Sequence, residues 1–326
     1  MTEREREAGR LLKVQLRSIT YEALEIRSYE FRAVDGTELP PFEAGAHVDI
    51  HLPSGHRRSY SLVNPTHERH RYVVAVSKAP DSQGGSRYIH ESLRGGEVLT
   101  LEGPRNNFRL TEDASHTLMI AGGIGITPVW SMIQRLEALK RRWELYYCAR
   151  TRRHAAFLEE LNACASAGGG AVHSIFDQEP DGSPLDIGAL VRSAPAETHL
   201  YCCGPHGMLA AFEAACRDLP SSQVHVEYFK PKSDFASTAG FSVRLARSGR
   251  IFEVGPSETI LSVLLAAGIS VPNSCRQGVC GSCETRVISG TPEHRDSVLG
   301  AQERASGATM MICCSGSKSD NLVLDL

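Results

Sequence analysis

The chain has 326 residues, with 35 basic and 38 acidic side chains, a net charge of −3 and 41 % hydrophobic residues. That length accommodates two or three domains, and the near-balanced charge excludes the basic field of a nucleic-acid binder and the polybasic patch of a membrane-surface protein. The first ten residues, Met1 to Arg10, are charged and polar and do not read as a secretory signal, and no apolar run approaches the ~20 residues that span a bilayer.

From about residue 11 to 112, short alternating strands follow one another. Examples are Ala46–Leu52, Arg58–Val63, Arg71–Ser77 and Val98–Glu102, separated by turns such as Pro53–Ser54–Gly55 and Gly103–Pro104. That density predicts an antiparallel barrel over 1–113, interrupted by one helix, Ser86–Leu93, after Gly84–Gly85. From about 115 to 230 the rhythm changes. Continuous apolar strands (Thr117–Ala121, Leu145–Cys148, His199–Cys203) alternate with helical stretches (Pro128–Leu139, Ala155–Ala165, Met208–Asp218). This alternation predicts a doubly wound parallel α/β sheet over 114–230. A polar, turn-rich stretch, 231–240, reads as a linker. The remaining domain, 241–326, opens with a strand pair around Ser248–Gly249 and a helix near Thr259–Ala267.

Two junctions in the middle domain suit a nucleotide. Ala121–Gly122–Gly123–Ile124–Gly125–Ile126–Thr127–Pro128 joins an apolar strand to a helix, where glycines admit a phosphate to free backbone amides and Pro128 suits the first turn. It is not the GxGxxG fingerprint, so its weight rests on the second junction, Tyr201–Cys202–Cys203–Gly204–Pro205–His206–Gly207–Met208. Ligands of open α/β sheets bind beyond the carboxyl ends of the strands, where both junctions fall.

The last domain carries the most specific signal. Cys275, Cys280 and Cys283 form C-x4-C-x2-C, followed at a distance by Cys313 and Cys314. This is the spacing of a plant-type 2Fe–2S cluster, a one-electron carrier, and it lacks the two C-x2-C knuckles of a zinc site. Gly278 and Gly281 let the loop curl around the inorganic core. Ala308–Cys313 reads as a strand, so only one of the two adjacent cysteines can face the loop. Cys148, Cys164, Cys202 and Cys216 read as ordinary buried thiols. Ten cysteines without a secretory signal point to thiols and metal ligands in the cytoplasm.

Arg58–Ser59–Tyr60–Ser61 resembles the flavin-binding RxYS motif of the ferredoxin–NADP reductase superfamily, and the two glycine junctions resemble its pyridine-nucleotide motifs. With a ferredoxin at the carboxyl end, nearly the whole chain is similar to the phthalate dioxygenase reductase and vanillate O-demethylase reductase family. The resemblance implies a flavin-binding barrel, a nucleotide domain and a β-grasp ferredoxin. Arg58 would pair with the flavin phosphate, Tyr60 would lie against the ring, and Ser61 would bond its reactive nitrogen edge. Ser59, Val76, Gly85 and Ser86 would complete the flavin site, with Phe229 shielding the other face. Gly122, Gly123, Gly125, Thr127, Pro128, Gly204 and Pro205 would hold the nucleotide, and Cys203 would position the nicotinamide. Among the cluster ligands the family pattern selects Cys313 over Cys314.

The flavin is expected to be FMN, with FAD the alternative. Arg150–Thr151–Arg152–Arg153 stands where an acid would accept the ribose hydroxyls of NADH. Its arginines leave NADPH open beside the NADH that the family favours. The implied activity is transfer of electrons from NAD(P)H through flavin and cluster to a partner, by family a Rieske-type oxygenase or demethylase. A haem monooxygenase is the alternative acceptor, and a flavin/iron–sulfur redox sensor a more distant reading. Glu284, Glu293 and Asp296 read as a solvated charged face, with partner docking the alternative. A monomer is expected of such a shuttle.

Overall fold

The computed structural model describes residues 10–78, 84–231 and 240–326, so the charged amino-terminal stretch and most of the expected linker lie outside the described residues. The chain divides into two units, Met1–Glu227 and Tyr228–Leu326.

The first unit begins with strands β1 (Leu11–Ala23), β2 (Ile26–Ala33), β3 (His47–His51), β4 (Arg57–Ser61), β5 (Tyr72–Ser77) and β6 (Val98–Arg105). They form one antiparallel sheet in the order β4-β3-β6-β1-β2-β5. A bridge between Leu62 and Val74, and a hydrogen bond from the Val63 amide to the Val73 carbonyl at 2.9 Å, join its two edges. The sheet therefore closes into the expected barrel. Alternation does the rest: Val14, Leu16, Tyr29, Phe31, Val48 and Ile50 point inward and are fully buried. The helix after β5 spans Gly85–Glu91, starting one residue earlier and ending two earlier than expected.

The second sheet of this unit is parallel throughout. It comprises β7 (Thr117–Gly122), β8 (Trp143–Ala149), β9 (Ala171–Phe176), β10 (His199–Cys203) and β11 (Val224–Glu227), in the order β11-β10-β7-β8-β9. Every residue of β7 is buried, as the central strand of a sheet covered on both faces must be. The order reverses between β7 and β10, so the two glycine junctions lie side by side at the topological switch point. Helix Ile126–Ala138 covers one face with Ile126, Val129, Met132, Ile133 and Leu136. Those residues share one core with Ala23, Ile26, Ala44 and Val63 of the barrel and with Phe108 of the connecting segment.

The second unit is a mixed sheet of β12 (Phe241–Leu245), β13 (Ile251–Val254), β14 (Glu284–Ser289), β16 (Thr309–Met311) and β18 (Asn321–Leu324), in the order β13-β12-β18-β14-β16. Only β12 and β18 run parallel. The short strands β15 (Pro292–Glu293) and β17 (Gly316–Ser317) form a separate pair. Helix Ile260–Ala266 opens on a capping box, Thr259 Oγ1 accepting the Ser262 amide and Ser262 Oγ accepting the Thr259 amide, each at 3.0 Å. This is the β-grasp arrangement. No helix among the described residues is long and apolar enough to cross a membrane.

One expectation fails here. The strand expected to reach Cys313 stops at Met311, and the Cys314 and Ser315 amides return to the Met311 carbonyl at 3.2 and 3.0 Å. Cys313 and Cys314 thus sit on a turn, and strand alternation does not separate them.

Candidate functional site

At the switch point the two junctions touch backbone to backbone. A Cβ on Gly125 would lie 2.1 Å from the Cys203 carbonyl oxygen, and one on Gly204 3.1 Å from the Gly122 Cα. A Cβ on Gly122 would meet Pro205 Cδ at 2.5 Å. These three glycines are required by each other before any ligand arrives. Gly123 differs: its φ is +54° and nothing lies within 4 Å of where its Cβ would stand, so this part of the turn is open to a ligand. Thr127 turns its hydroxyl back to the Ile124 carbonyl at 3.0 Å, and Pro128 is buried in the first turn of the helix. Beside the turn lies a cavity of about 490 Å³ whose walls include Gly122, Gly123, Pro205, Met208, Arg150 and Glu25. Its size and its position beyond the strand ends fit a nucleotide.

Cys203 is fully buried at the end of β10, with its thiol 3.9 Å from a carboxylate oxygen of Glu227 at the end of β11. Burial pushes the Glu227 carboxyl up to about 8, offset in part by the Cys203 thiol. Burial, and then Glu227, pushes that thiol well above its ordinary range. Burial thus favours the protonated form of both groups.

On the barrel, β4 presents the expected flavin residues. Arg58 is half-buried, with Nη1 donating to the Arg57 carbonyl at 2.8 Å. A Cβ on Gly85 would fall 2.8 Å from Arg58 Cγ, so the first turn of helix Gly85–Glu91 approaches the arginine because Gly85 has no side chain. Guanidinium and the Gly85–Ser86 backbone are thereby brought together, as a phosphate would need. Tyr60 is half-buried, and desolvation raises its hydroxyl above the ordinary tyrosine range. Ser61 is 4 % exposed. Ser59 donates to the buried Asp49, which also pairs with Arg105, so Ser59 braces the barrel from within. Val76 turns its side chain into the barrel core, and its carbonyl accepts from His90 Nε2 at 2.8 Å. Phe229 is 38 % exposed and belongs to the second unit.

In the second unit the cysteine loop is built on left-handed backbone at Arg276, Gly278 and Gly281. Its amides point at sulfur: Gln277 donates to Cys275 Sγ at 3.3 Å, and Gly278 donates to Cys313 Sγ at 3.2 Å. Cys314 instead turns its thiol to the Met311 carbonyl at 3.7 Å. A Cβ on Gly278 would lie 2.5 Å from that thiol. The thiols crowd one another: Cys280 is raised by its hydrogen bond to Cys275 and by burial, and Cys283 by its hydrogen bond to Cys313 and by burial. Three buried cysteines and the half-buried Cys275, with backbone amides donating to the sulfurs of Cys275, Cys280 and Cys313, fit an inorganic core that accepts them as thiolates. A 2Fe–2S core asks only two thiolates of each iron.

Two family models match, an oxidoreductase NAD-binding domain over residues 119–214 and a 2Fe–2S iron–sulfur cluster binding domain over 243–317. The phenoxybenzoate dioxygenase subunit beta of Ectopseudomonas oleovorans is 52 % identical over 97 % of both chains. A solved phthalate dioxygenase reductase, described as modular for electron transfer from pyridine nucleotides to 2Fe–2S, superposes with a TM-score of 0.71 at 38 % identity, covering 97 % of this chain and 98 % of that one. The chain belongs to the phthalate dioxygenase reductase family. It is an NAD(P)H-dependent flavin and iron–sulfur oxidoreductase, and its relatives include reductase components of oxygenase systems, among them vanillate O-demethylase oxidoreductases. The same assembly also matches a self-sufficient cytochrome P450 monooxygenase (TM-score 0.89, 35 % identity), where it covers 97 % of this chain but only 41 % of that one.

For this reductase the structure adds residues that sequence reasoning passed over. Glu227 is one of them: its pairing with Cys203 depends on β11 lying parallel to β10, which no local pattern announces. Glu25 reaches the nucleotide cavity from the β1–β2 hairpin, some 97 residues before the first nucleotide glycine, and no motif marks it. Asp296 corrects an expectation: it is 1 % exposed and accepts the Val298 and Leu299 amides at 2.9 and 2.7 Å, so it ties a loop together and is neither a solvated face nor a docking charge.

Proposed function

We propose that this chain is the reductase component that draws electrons from NADH through FMN and its 2Fe–2S cluster to a Rieske-type oxygenase or demethylase. The observation that carries this reading is the coexistence, in one chain, of a cavity at a switch point, a barrel strand bearing Arg58 beside Gly85, and a cysteine loop whose amides donate to sulfur. A bound flavin would supply the change from a two-electron hydride to single electrons, and a bound cluster would carry those electrons onward.

The protein's residues supply binding and orientation. Arg58 and the Gly85–Ser86 backbone would hold the flavin phosphate, Tyr60 and Ser61 would receive its ring, and Ser59 and Val76 would shape the wall behind it. Gly122, Gly123, Gly125, Thr127, Pro128, Gly204 and Pro205 hold the nucleotide, and Cys203 fixes the nicotinamide's approach. Cys275, Cys280, Cys283 and Cys313 ligate the cluster. Ten cysteines, none of them bridged, suit a reducing cytoplasm, and the chain works as a monomer.

The likeness to a cytochrome P450 fusion favours a second reading, a haem monooxygenase as acceptor. Stopped-flow reduction decides between them. The NADH-reduced chain is mixed with a purified Rieske oxygenase of the phthalate class or with a cytochrome P450. Faster reduction of the Rieske centre is expected, and faster reduction of the haem would overturn the assignment.

A further inference from the structure

In doubly wound sheets the residue ending the second strand of the order contacts the adenosine ribose: an acid there selects a free 2′-hydroxyl, an arginine a 2′-phosphate. Here that place, after β8, is held by Arg150. Of Arg150, Arg152 and Arg153, only Arg150 lines the 490 Å³ cavity among the described residues. Arg152 lies over the Phe176 ring, 5.2 Å from its centroid, and the Arg153 carbonyl accepts the Leu24 amide at 2.8 Å.

The missing acid comes from the barrel. Glu25 sits at the tip of the β1–β2 hairpin with φ +63°, a left-handed conformation where glycine or asparagine is the usual occupant. The Leu24–Arg153 bond ties that tip to the segment after β8, and a 2.8 Å bond from the Lys78 amide to the Glu25 carbonyl ties it to the end of β5. The Glu25 carboxylate thereby faces the Arg150 guanidinium at 3.8 Å, and both line the cavity together with Asp177. A strained, tethered acid opposite the one arginine that could meet a phosphate is an unusual expense for a hairpin tip.

We propose that Glu25 is a nucleotide-selectivity residue, which occupies Arg150 and repels a 2′-phosphate so that the cavity accepts NADH in preference to NADPH. The proposal rests on the nucleotide reading of this cavity and says which nucleotide it takes. It makes Arg150 a latent 2′-phosphate site held off by an acid from another sheet.

The test is calorimetric binding of 5′-AMP and 2′,5′-ADP, the adenosine ends alone, to the intact holoprotein. Wild type is expected to bind 5′-AMP more tightly. E25Q is expected to tighten 2′,5′-ADP by about fivefold with 5′-AMP within about twofold, the scale of an ion pair whose side chains are 57 % and 44 % exposed. E25N, which suits the left-handed backbone, must do the same, and E25Q/R150Q must lose the gain. An unchanged ratio in both single variants, or a wild-type preference for 2′,5′-ADP, would overturn the proposal. If neither fragment binds any variant, the nucleotide reading fails and the proposal with it.

Discussion

At the carboxyl edge of the parallel sheet, Gly122, Gly125 and Gly204 are small because two backbone junctions meet there, with prospective Cβ contacts of 2.1 to 3.1 Å to each other's atoms. In the cysteine loop, Gly278 and Gly281 are needed for their left-handed φ of 67° and 78°, which turns amides toward sulfur. The nucleotide edge is complete without its ligand, since its glycines satisfy protein packing first. The cluster loop is organised differently: its backbone amides turn toward sulfur, donating to Cys275 and Cys313, an arrangement that suits thiolate ligands. A mutation at the first site should therefore damage the fold and the nucleotide together, whereas one at the second should remove a cofactor and spare the other unit.

The largest expected effect sharpens that contrast. C283S should abolish the cluster's visible absorption and electron delivery to a one-electron acceptor protein, while NADH still bleaches the flavin. Loss of both signals would show that the two units do not behave separately. Next comes G125A, whose Cβ would stand 2.1 Å from the Cys203 carbonyl. It should cost about 3 kcal/mol, the upper range for overpacking, read as a lowered Tm together with lost nucleotide binding.

A third effect appears only with pH. Burial raises the Glu227 carboxyl from 4.5 to about 8, so between those values the folded chain keeps a proton that the unfolded chain has released. Stability is then greatest at the acid end of that window and falls as pH climbs through it. E227Q should flatten that part of the Tm–pH profile; an unchanged slope would place the titrating group elsewhere. The smallest effect is expected of G85A. Its methyl presses on the flexible stem of Arg58 at 2.8 Å, so flavin retention on dialysis should weaken while Tm barely moves.

What was legible in the sequence follows from burial. His199–Cys203 is legible to the residue because Leu200–Cys203 is a short, fully buried run bounded by the Gly204–Pro205 turn, as suits a central parallel strand. Ala171–Phe176 was missed because it is an edge strand carrying His173 and Ser174 on a half-exposed face. The helix Ile187–Ser193 is too short for a periodic signal, and Val224–Glu227 is a four-residue edge strand. Cys313 was chosen by family pattern, while the strand alternation offered beside it fails at Met311. The Gly278 amide, which donates to Cys313 Sγ, is a geometric feature that no strand pattern could announce. Glu25 and Glu227 were illegible for a common reason: each meets its partner across strands remote in sequence, and only the assembled sheets bring them together.

The relay itself is tested most directly by an anaerobic NADH titration followed in the visible spectrum, with the flavin identified after heat release. Bleaching of both an oxidised flavin, released as FMN, and a 2Fe–2S chromophore, with about three electrons taken up per chain, is the predicted result. A flavin that bleaches in a protein showing no cluster signal, even after iron–sulfur reconstitution, would contradict it and leave a flavin reductase whose cysteines serve another end.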